Sequence, residues 1–219
     1  MKALTPKISK SEENLLFWKQ LMKNPRSLGA VAPSSYKLAD FICQHVPVGD
    51  NFIVEVGAGT GRLTQALLRS GLNPKNLVIV ELDTDMCDFL KRNFPEVTVI
   101  QGNATELETL LPSSWKGKVG TIISGIPMRN VSKGDHKLMV ASFLNVLKES
   151  GHILQFSYGP LSPLCVKKLG LKKKRLGHIL LNIPPATIWQ YSREDKAPMR
   201  AHKRLGPKLQ FKSKLGEIQ

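Results

Sequence analysis

Residues 52–61 read FIVEVGAGTG. An apolar run carrying Glu55 leads into a glycine-rich turn, and residues 62–68, RLTQALL, continue with leucines at helical spacing. Strand, glycine turn and helix together build a nucleotide-cofactor site at the carboxyl end of a parallel strand. Gly57 and Gly59 let the backbone approach a ligand where a Cβ would collide.

Outward from this turn the pattern repeats. LVIVE at 77–81 predicts a second strand, and residues 84–93 a helix ended by Pro95. Strands are predicted at 97–100, 119–124 and 152–158, with a short helix at 105–111 and a longer one at 136–148. Strands alternating with helices specify an α/β protein with a parallel sheet. After Tyr158 the rhythm fails. Residues 159–177 are rich in Pro, Gly and Lys. Two short strands, 179–181 and 187–191, flank Asn182-Ile183-Pro184-Pro185 closely enough to pair antiparallel. The expected fold is therefore a mostly parallel, Rossmann-like seven-stranded sheet with helices on both faces and an antiparallel last strand.

Upstream, Ser11-Glu12-Glu13-Asn14 offers an N-cap and an acidic first turn to a helix ending near Asn24. Phe17, Trp18, Leu21 and Met22 fall on one arc, with lysines and glutamates on the other. Such a helix packs its apolar face on a core, or lies on a membrane surface; the pattern alone favours the core. Residues 25–35 form a loop, and Ser34 or Ser35 caps a helix running to about His45. The chain thus divides into an N-terminal region, 1–50, a cofactor-binding core, 51–192, and a basic tail, 193–219, expected to be disordered without a partner.

The 219 residues, 42% of them hydrophobic, suit one globular core. No apolar run approaches the ~20 residues needed to span a bilayer. The three cysteines fit neither a zinc spacing nor a disulfide framework, and the expected setting is a reducing cytoplasm. No metal site is expected from the five histidines. Net charge is +15, and residues 158–219 carry 14 Lys or Arg against 3 Asp or Glu. Such an excess suits a polyanionic surface, nucleic acid or anionic lipid.

The glycine turn reads G-x-G-x-G, and Arg62 stands where a nicotinamide fingerprint has its last glycine. Glu81 ends the next strand, where a carboxylate can bond both ribose hydroxyls of an adenosine. Glu55, just before the turn, would repel a pyrophosphate and favour a cation. S-adenosylmethionine has a sulfonium, an ammonium and no phosphate.

With these residues the sequence resembles the class I S-adenosylmethionine-dependent methyltransferases. EVGAGTG is similar to their first motif, Glu81 to their ribose carboxylate, and Gln101-Gly102-Asn103-Ala104 to their adenine loop, which usually carries Asp where this chain has Asn103. The resemblance implies a cofactor site of Glu55, Gly57, Ala58, Gly59, Gly61, Glu81, Leu82, Asn103, Ala104, Ser124 and Ile126. Among subfamilies, rRNA adenine dimethyltransferases place an Asn-Leu-Pro-Tyr-like segment after the fourth strand. Here Ser124-Gly125-Ile126-Pro127-Met128 lacks both the amide and the aromatic stacker. The bacterial phospholipid N-methyltransferases are more similar, from FWKQLMKNPRSLGAVAPSS through Phe94-Pro95, the Gly-Ile-Pro segment and Gln155-Phe156-Ser157-Tyr158 to Leu181-Asn182-Ile183-Pro184-Pro185-Ala186.

That resemblance implies methylation of phosphatidylethanolamine towards phosphatidylcholine by a peripheral enzyme on the inner face of the membrane. It also implies that Phe17 and Trp18 meet lipid. Tyr158 is the candidate for orienting the head group, and Arg129 and Lys133 for meeting the lipid phosphate. Lys167, Lys168 and Lys172-Lys173-Lys174-Arg175 would add ~1 kcal/mol each towards an anionic leaflet. The alternatives are an RNA adenine methyltransferase and a non-catalytic binder of anionic surfaces that keeps the cofactor fold.

Overall fold

The computed structural model describes residues 36–47, 51–180 and 185–194. The predicted N-terminal amphipathic helix with Phe17 and Trp18, most of the Asn-Ile-Pro-Pro turn and the basic tail beyond residue 194 lie outside the described residues.

Seven strands form a single sheet in the order β3-β2-β1-β4-β5-β7-β6. They are β1 (Phe52–Val56), β2 (Leu77–Glu81), β3 (Thr98–Gln101), β4 (Val119–Ser124), β5 (Leu147–Tyr158), β6 (Leu171–Ile179) and β7 (Ala186–Arg193). Strands β3, β2, β1, β4 and β5 pair in parallel. β7 is antiparallel to both β5 and β6, as the antiparallel last strand required. β2 and β4 are buried at every position. Their near-continuous apolar runs are what a strand covered on both faces needs.

Helices occupy both faces. α1 (Tyr36–Cys43), α2 (Arg62–Arg69) and α3 (Thr84–Asn93) cover one, where Leu38, Ile42, Leu67 and Leu90 pack with Ile53, Ile79, Ile123 and Leu154. α4 (Leu107–Leu110) and α5 (Lys133–Val146) cover the other, where Leu107, Val140 and Phe143 pack with Val54, Val78, Ile122 and Ile153. The alternation of these strand residues between two clusters follows from the period of two along a strand.

Three details differ from the sequence reading. α5 begins at Lys133, not His136, because Ser132 caps it by accepting from the Asp135 backbone N–H at 3.1 Å, and it ends at Val146, so that β5 starts at Leu147 rather than His152. β7 runs through Arg193, whose guanidinium donates to the carbonyls of Leu144 and Leu147 where α5 ends and β5 begins. Residues 159–177, where the alternation of strands and helices fails in the sequence, hold a short helix, α6 (Val166–Leu169), and most of β6, which ends at Ile179, where the sequence predicts a strand over 179–181 to begin. Lys172, Lys173, Lys174 and Arg175 are all exposed on this edge strand. An edge strand open to water needs no apolar face there, so the usual alternation is missing.

Gly61 joins this scaffold to the turn. It stands at φ +73°, and a Cβ there would lie 2.4 Å from the Phe94 ring and 2.9 Å from Leu90. We predict that Gly61→Ala lowers stability by roughly 2–4 kcal/mol, from backbone strain together with overpacking. Denaturant unfolding of the two proteins checks this; an equal midpoint and slope would contradict it.

Candidate active site

The turn after β1 carries Gly57, Gly59 and Gly61, all with positive φ. The Gly57 N–H donates to the Val80 carbonyl at 2.9 Å, and the Gly125 N–H to the Val56 carbonyl at 2.8 Å. The first bond ties the turn to β2, and the second draws the segment after β4 towards the end of β1. A Cβ on Gly125 would lie 2.3 Å from the Gly57 carbonyl oxygen, so the backbones meet where only glycine fits. Around a Cβ built on Gly59 there is open space to 4 Å. Ala58 is half-buried on the same turn.

Glu81 closes the turn from the neighbouring strand. Its carboxylate accepts from Gly59 N–H at 3.1 Å, Leu82 N–H at 2.9 Å and Asp83 N–H at 3.2 Å. The group is buried; Oε1 already accepts two of these bonds, and Oε2, with one, keeps lone-pair capacity for a further donor. Beside it Leu82 is 66% exposed, an apolar side chain displayed at the carboxyl end of β2. Asn103 follows β3 and accepts through Oδ1 from the Thr105 backbone N–H at 3.0 Å, leaving its amide N–H groups for other acceptors. Ala104 is buried behind it.

Glu55 is placed differently from what its position before the turn suggested. It is 2% exposed, and Thr64 on α2 donates to its Oε2 at 2.7 Å. Burial pushes its pKa up to about 7; the Thr64 bond pulls it down, and the nearby Glu81 charge pushes it further up. Its charge therefore stands behind the turn, in partial supply near neutral pH, rather than displayed to a ligand.

At the other side of the segment after β4 lies a pocket walled by Ile126, Pro127, Met128, Phe156 and Tyr158, with exposed Arg129 on its lining. The Phe156 and Tyr158 rings meet edge-on, centroids 6.0 Å apart. Burial pushes the Tyr158 hydroxyl up to about 12, so it acts as a neutral phenol at physiological pH. Lys133 stands exposed at the first position of α5 and is not part of this lining. The lining described holds no Asp, Glu or His.

Sequence reasoning gave no role to Phe156 or Gln155. The fully buried Gln155 side chain donates through Nε2 to the Ile126 carbonyl at 3.0 Å and the Phe156 carbonyl at 2.8 Å. It thereby ties the segment after β4 to the pocket wall on β5. Ser124 Oγ, Gln155 Oε1 and Trp189 Nε1 are buried without a hydrogen-bond partner among the described residues. The register places these three side chains side by side on β4, β5 and β7. The Ser124 hydroxyl is thus interior, in a polar row beneath the site. The QFSY motif marked the segment in sequence; only the sheet register could reveal the row.

Residues 53–151 match a family model described as a methyltransferase domain. Over these residues the chain is similar to methyltransferase domains, and its sheet has the Rossmann-like fold of the S-adenosylmethionine-dependent methyltransferases. Among solved structures, a TehB-like SAM-dependent methyltransferase from Corynebacterium glutamicum superposes with TM-score 0.57 at 16% identity, covering 84% of this chain and 100% of that one. A glycopeptide N-methyltransferase solved with sinefungin superposes with TM-score 0.55 at 16% identity, covering 74% and 94%. By sequence, ornithine lipid N-methyltransferase of Singulisphaera acidiphila is 24% identical over 149 residues, 66% of this chain and 78% of that protein. A ribosomal RNA small subunit methyltransferase A of Maridesulfovibrio salexigens is 31% identical over 113 residues, 49% of this chain. The chain spans only 40% of that RNA enzyme's length.

The methyltransferase site fits its cofactor class in two respects. Gly59 leaves open the space a Cβ would fill, and Glu81 Oε2 keeps an acceptor position beside it, of the kind a hydroxyl donor would need. Glu55 makes no contact with that open space, but its charge behind the turn acts on the site at a distance and depends on pH. An acid whose pKa rises on folding holds a proton that the unfolded chain has released. Glu55 therefore costs stability as pH climbs from its ordinary value of 4.5 towards about 7. A cationic ligand favours the ionised form. We predict that S-adenosylmethionine affinity rises as pH passes upward through about 7, and that Glu55→Gln flattens this rise. Calorimetric titration across that range checks it; an unchanged slope in the variant would contradict it.

Proposed function

We propose that this methyltransferase transfers methyl groups to the amine of phosphatidylethanolamine and its methylated intermediates, towards phosphatidylcholine, at an anionic membrane surface. One observation carries the reading: the pocket beside the cofactor turn is walled by Phe156, Tyr158, Ile126, Pro127 and Met128 and bears a cation, Arg129, with no acidic group in the described lining. Aromatic faces attract a methylated ammonium, and an arginine suits the phosphate next to it. The likeness to a protein named as an ornithine lipid N-methyltransferase supports the same substrate chemistry.

In this reading Gly57, Ala58, Gly59 and Gly61 form the bed of the cofactor and Glu81 takes the ribose hydroxyls. Leu82, Asn103 and Ala104 flank the adenine, and Ile126 lies at the join with the substrate pocket. S-adenosylmethionine supplies the electrophilic methyl group. The protein's own residues position and desolvate the lipid amine for in-line attack. An ammonium cannot attack, and burial in an apolar pocket lowers the amine pKa so that the proton leaves. With Tyr158 held neutral and no carboxylate or imidazole in the lining described, that proton passes to water rather than to a dedicated base. Tyr158 orients the head group and Phe156 completes the aromatic wall.

RNA adenine methylation is the second reading, favoured by identity with the ribosomal RNA enzymes, which reaches 42% over 72 residues in the probable enzyme of Pyrobaculum islandicum. The segment after β4 opposes it. Ser124 turns its hydroxyl into the interior, and Met128, at the expected stacking position, is 2% exposed.

The deciding experiment incubates the protein with methyl-labelled S-adenosylmethionine, phosphatidylethanolamine vesicles containing anionic lipid and, in parallel, RNA. The expected result is label in mono-, di- or trimethylated head groups. Label in RNA adenine with none in lipid would overturn the reading.

A further inference from the structure

Among the described residues the most exposed large apolar side chains are Leu161, 81% exposed, and Leu180, 71% exposed. Isolated exposed leucines are ordinary; these two share a place. β6 and β5 are each antiparallel to β7 and so run in the same direction. Tyr158 pairs with Ala186, and Ala186 with Ile179, so β5 and β6 end level with each other, about 10 Å apart across the sheet. Leu180 follows the end of β6, and Leu161 lies three residues beyond the end of β5. Leu161 also sits between Tyr158 and Pro163, both of which line the pocket.

The loop that displays Leu161 is anchored. Ser157 Oγ donates to the Leu161 carbonyl at 3.4 Å, and the Ser162 hydroxyl meets the Tyr191 hydroxyl at 2.8 Å and the Leu164 carbonyl at 3.0 Å. Its backbone is tied to the core on both sides while its side chain points to solvent. The charge around it is one-sided. Residues 159–193 contain seven Lys or Arg and no Asp or Glu. Six of the seven, Lys167, Lys168, Lys172, Lys173, Lys174 and Arg175, are exposed on α6 and β6.

We propose that Leu161, Leu180 and the basic edge formed by α6 and β6 are one docking face, and that an anionic phospholipid bilayer is its partner. The inference rests on the lipid reading above and extends it by fixing the protein's orientation. The edge of the sheet lies along the membrane. The lysines meet phosphate head groups and the two leucines reach the acyl boundary, Leu161 from the loop between the pocket residues Tyr158 and Pro163. Arg175 lies roughly 17 Å from Leu180 along the strand, which suits this edge-on arrangement rather than one point of contact. Lysines on an edge strand also discourage strand pairing. That role accounts for the charge and leaves the two exposed leucines past the ends of β5 and β6 without a reason. A nucleic-acid partner would likewise use the charge but not the leucines.

The test uses the full chain, its double variant Leu161→Asp/Leu180→Asp and the milder Leu161→Ser/Leu180→Ser. Two substrates are compared: vesicles of phosphatidylethanolamine with phosphatidylglycerol, and short-chain phosphatidylethanolamine kept monomeric. The expected result is at least a tenfold fall in activity on vesicles and in vesicle binding for the Asp variant, and a smaller fall for the Ser variant. Thermal midpoint, cofactor affinity and activity on the monomeric lipid stay unchanged. Equal ratios of vesicle to monomer activity in all three proteins would overturn the docking face while leaving lipid methylation standing. Absence of methyl transfer to either lipid by the unmodified protein would instead remove the lipid reading and this inference with it. Tighter binding to RNA than to vesicles, undiminished in the leucine variants, would also overturn the docking face.

Discussion

The Glu81 carboxylate holds the two halves of the cofactor bed together. It accepts from Gly59 on the turn after β1 and from Leu82 and Asp83 on the turn after β2. Three backbone donors on one buried carboxylate fix two crossovers relative to each other, and hydrogen bonds to a charged acceptor contribute about 1.5–3 kcal/mol each. The arrangement needs a glycine at 59, whose φ of +55° turns its N–H towards β2 while the space where a Cβ would stand remains open. The turn is therefore shaped before any ligand arrives, and the Glu81 carboxylate is part of what shapes it.

The pocket beside the segment after β4 depends on a second tie. Gln155 spends both amide hydrogens on the carbonyls of Ile126 and Phe156, which fixes the gap between the segment after β4 and the wall on β5. The pocket that results is apolar and aromatic, and its phenol stays protonated. Such a wall suits chemistry in which the protein aligns and dehydrates an amine, with no need for a strong base. Both ties lie at the carboxyl end of the parallel strands, where this architecture leaves its crevice.

Sequence carried much of this because the central strands are buried on both faces. FIVEV, LVIVE and VGTIIS are apolar runs bounded by turn residues, and each became a strand at the expected residues. Glu81 was visible because it ends such a run after a glycine turn. β6 was not, since KKKR on an open edge lacks the alternation that reveals a half-buried strand. The start of α5 was hidden by Gly134 in its first turn, although Ser132 and Asp135 held the capping signal. Glu55 illustrates a different limit. Its residue type was plain, but whether its carboxyl faced a ligand or Thr64 depended on how α2 lies on β1. Gln155 and the row with Ser124 and Trp189 needed strand register, which local pattern does not encode.

The central claim is that Glu81 both sets the turn and receives the cofactor. Calorimetric titration of S-adenosylmethionine into the protein and its Glu81→Gln variant tests it most directly. The account predicts at least a tenfold loss of affinity in the variant, since the amide cannot match a charged acceptor for backbone and ribose donors together. Equal affinity in a variant that is folded and as stable as its parent would contradict it.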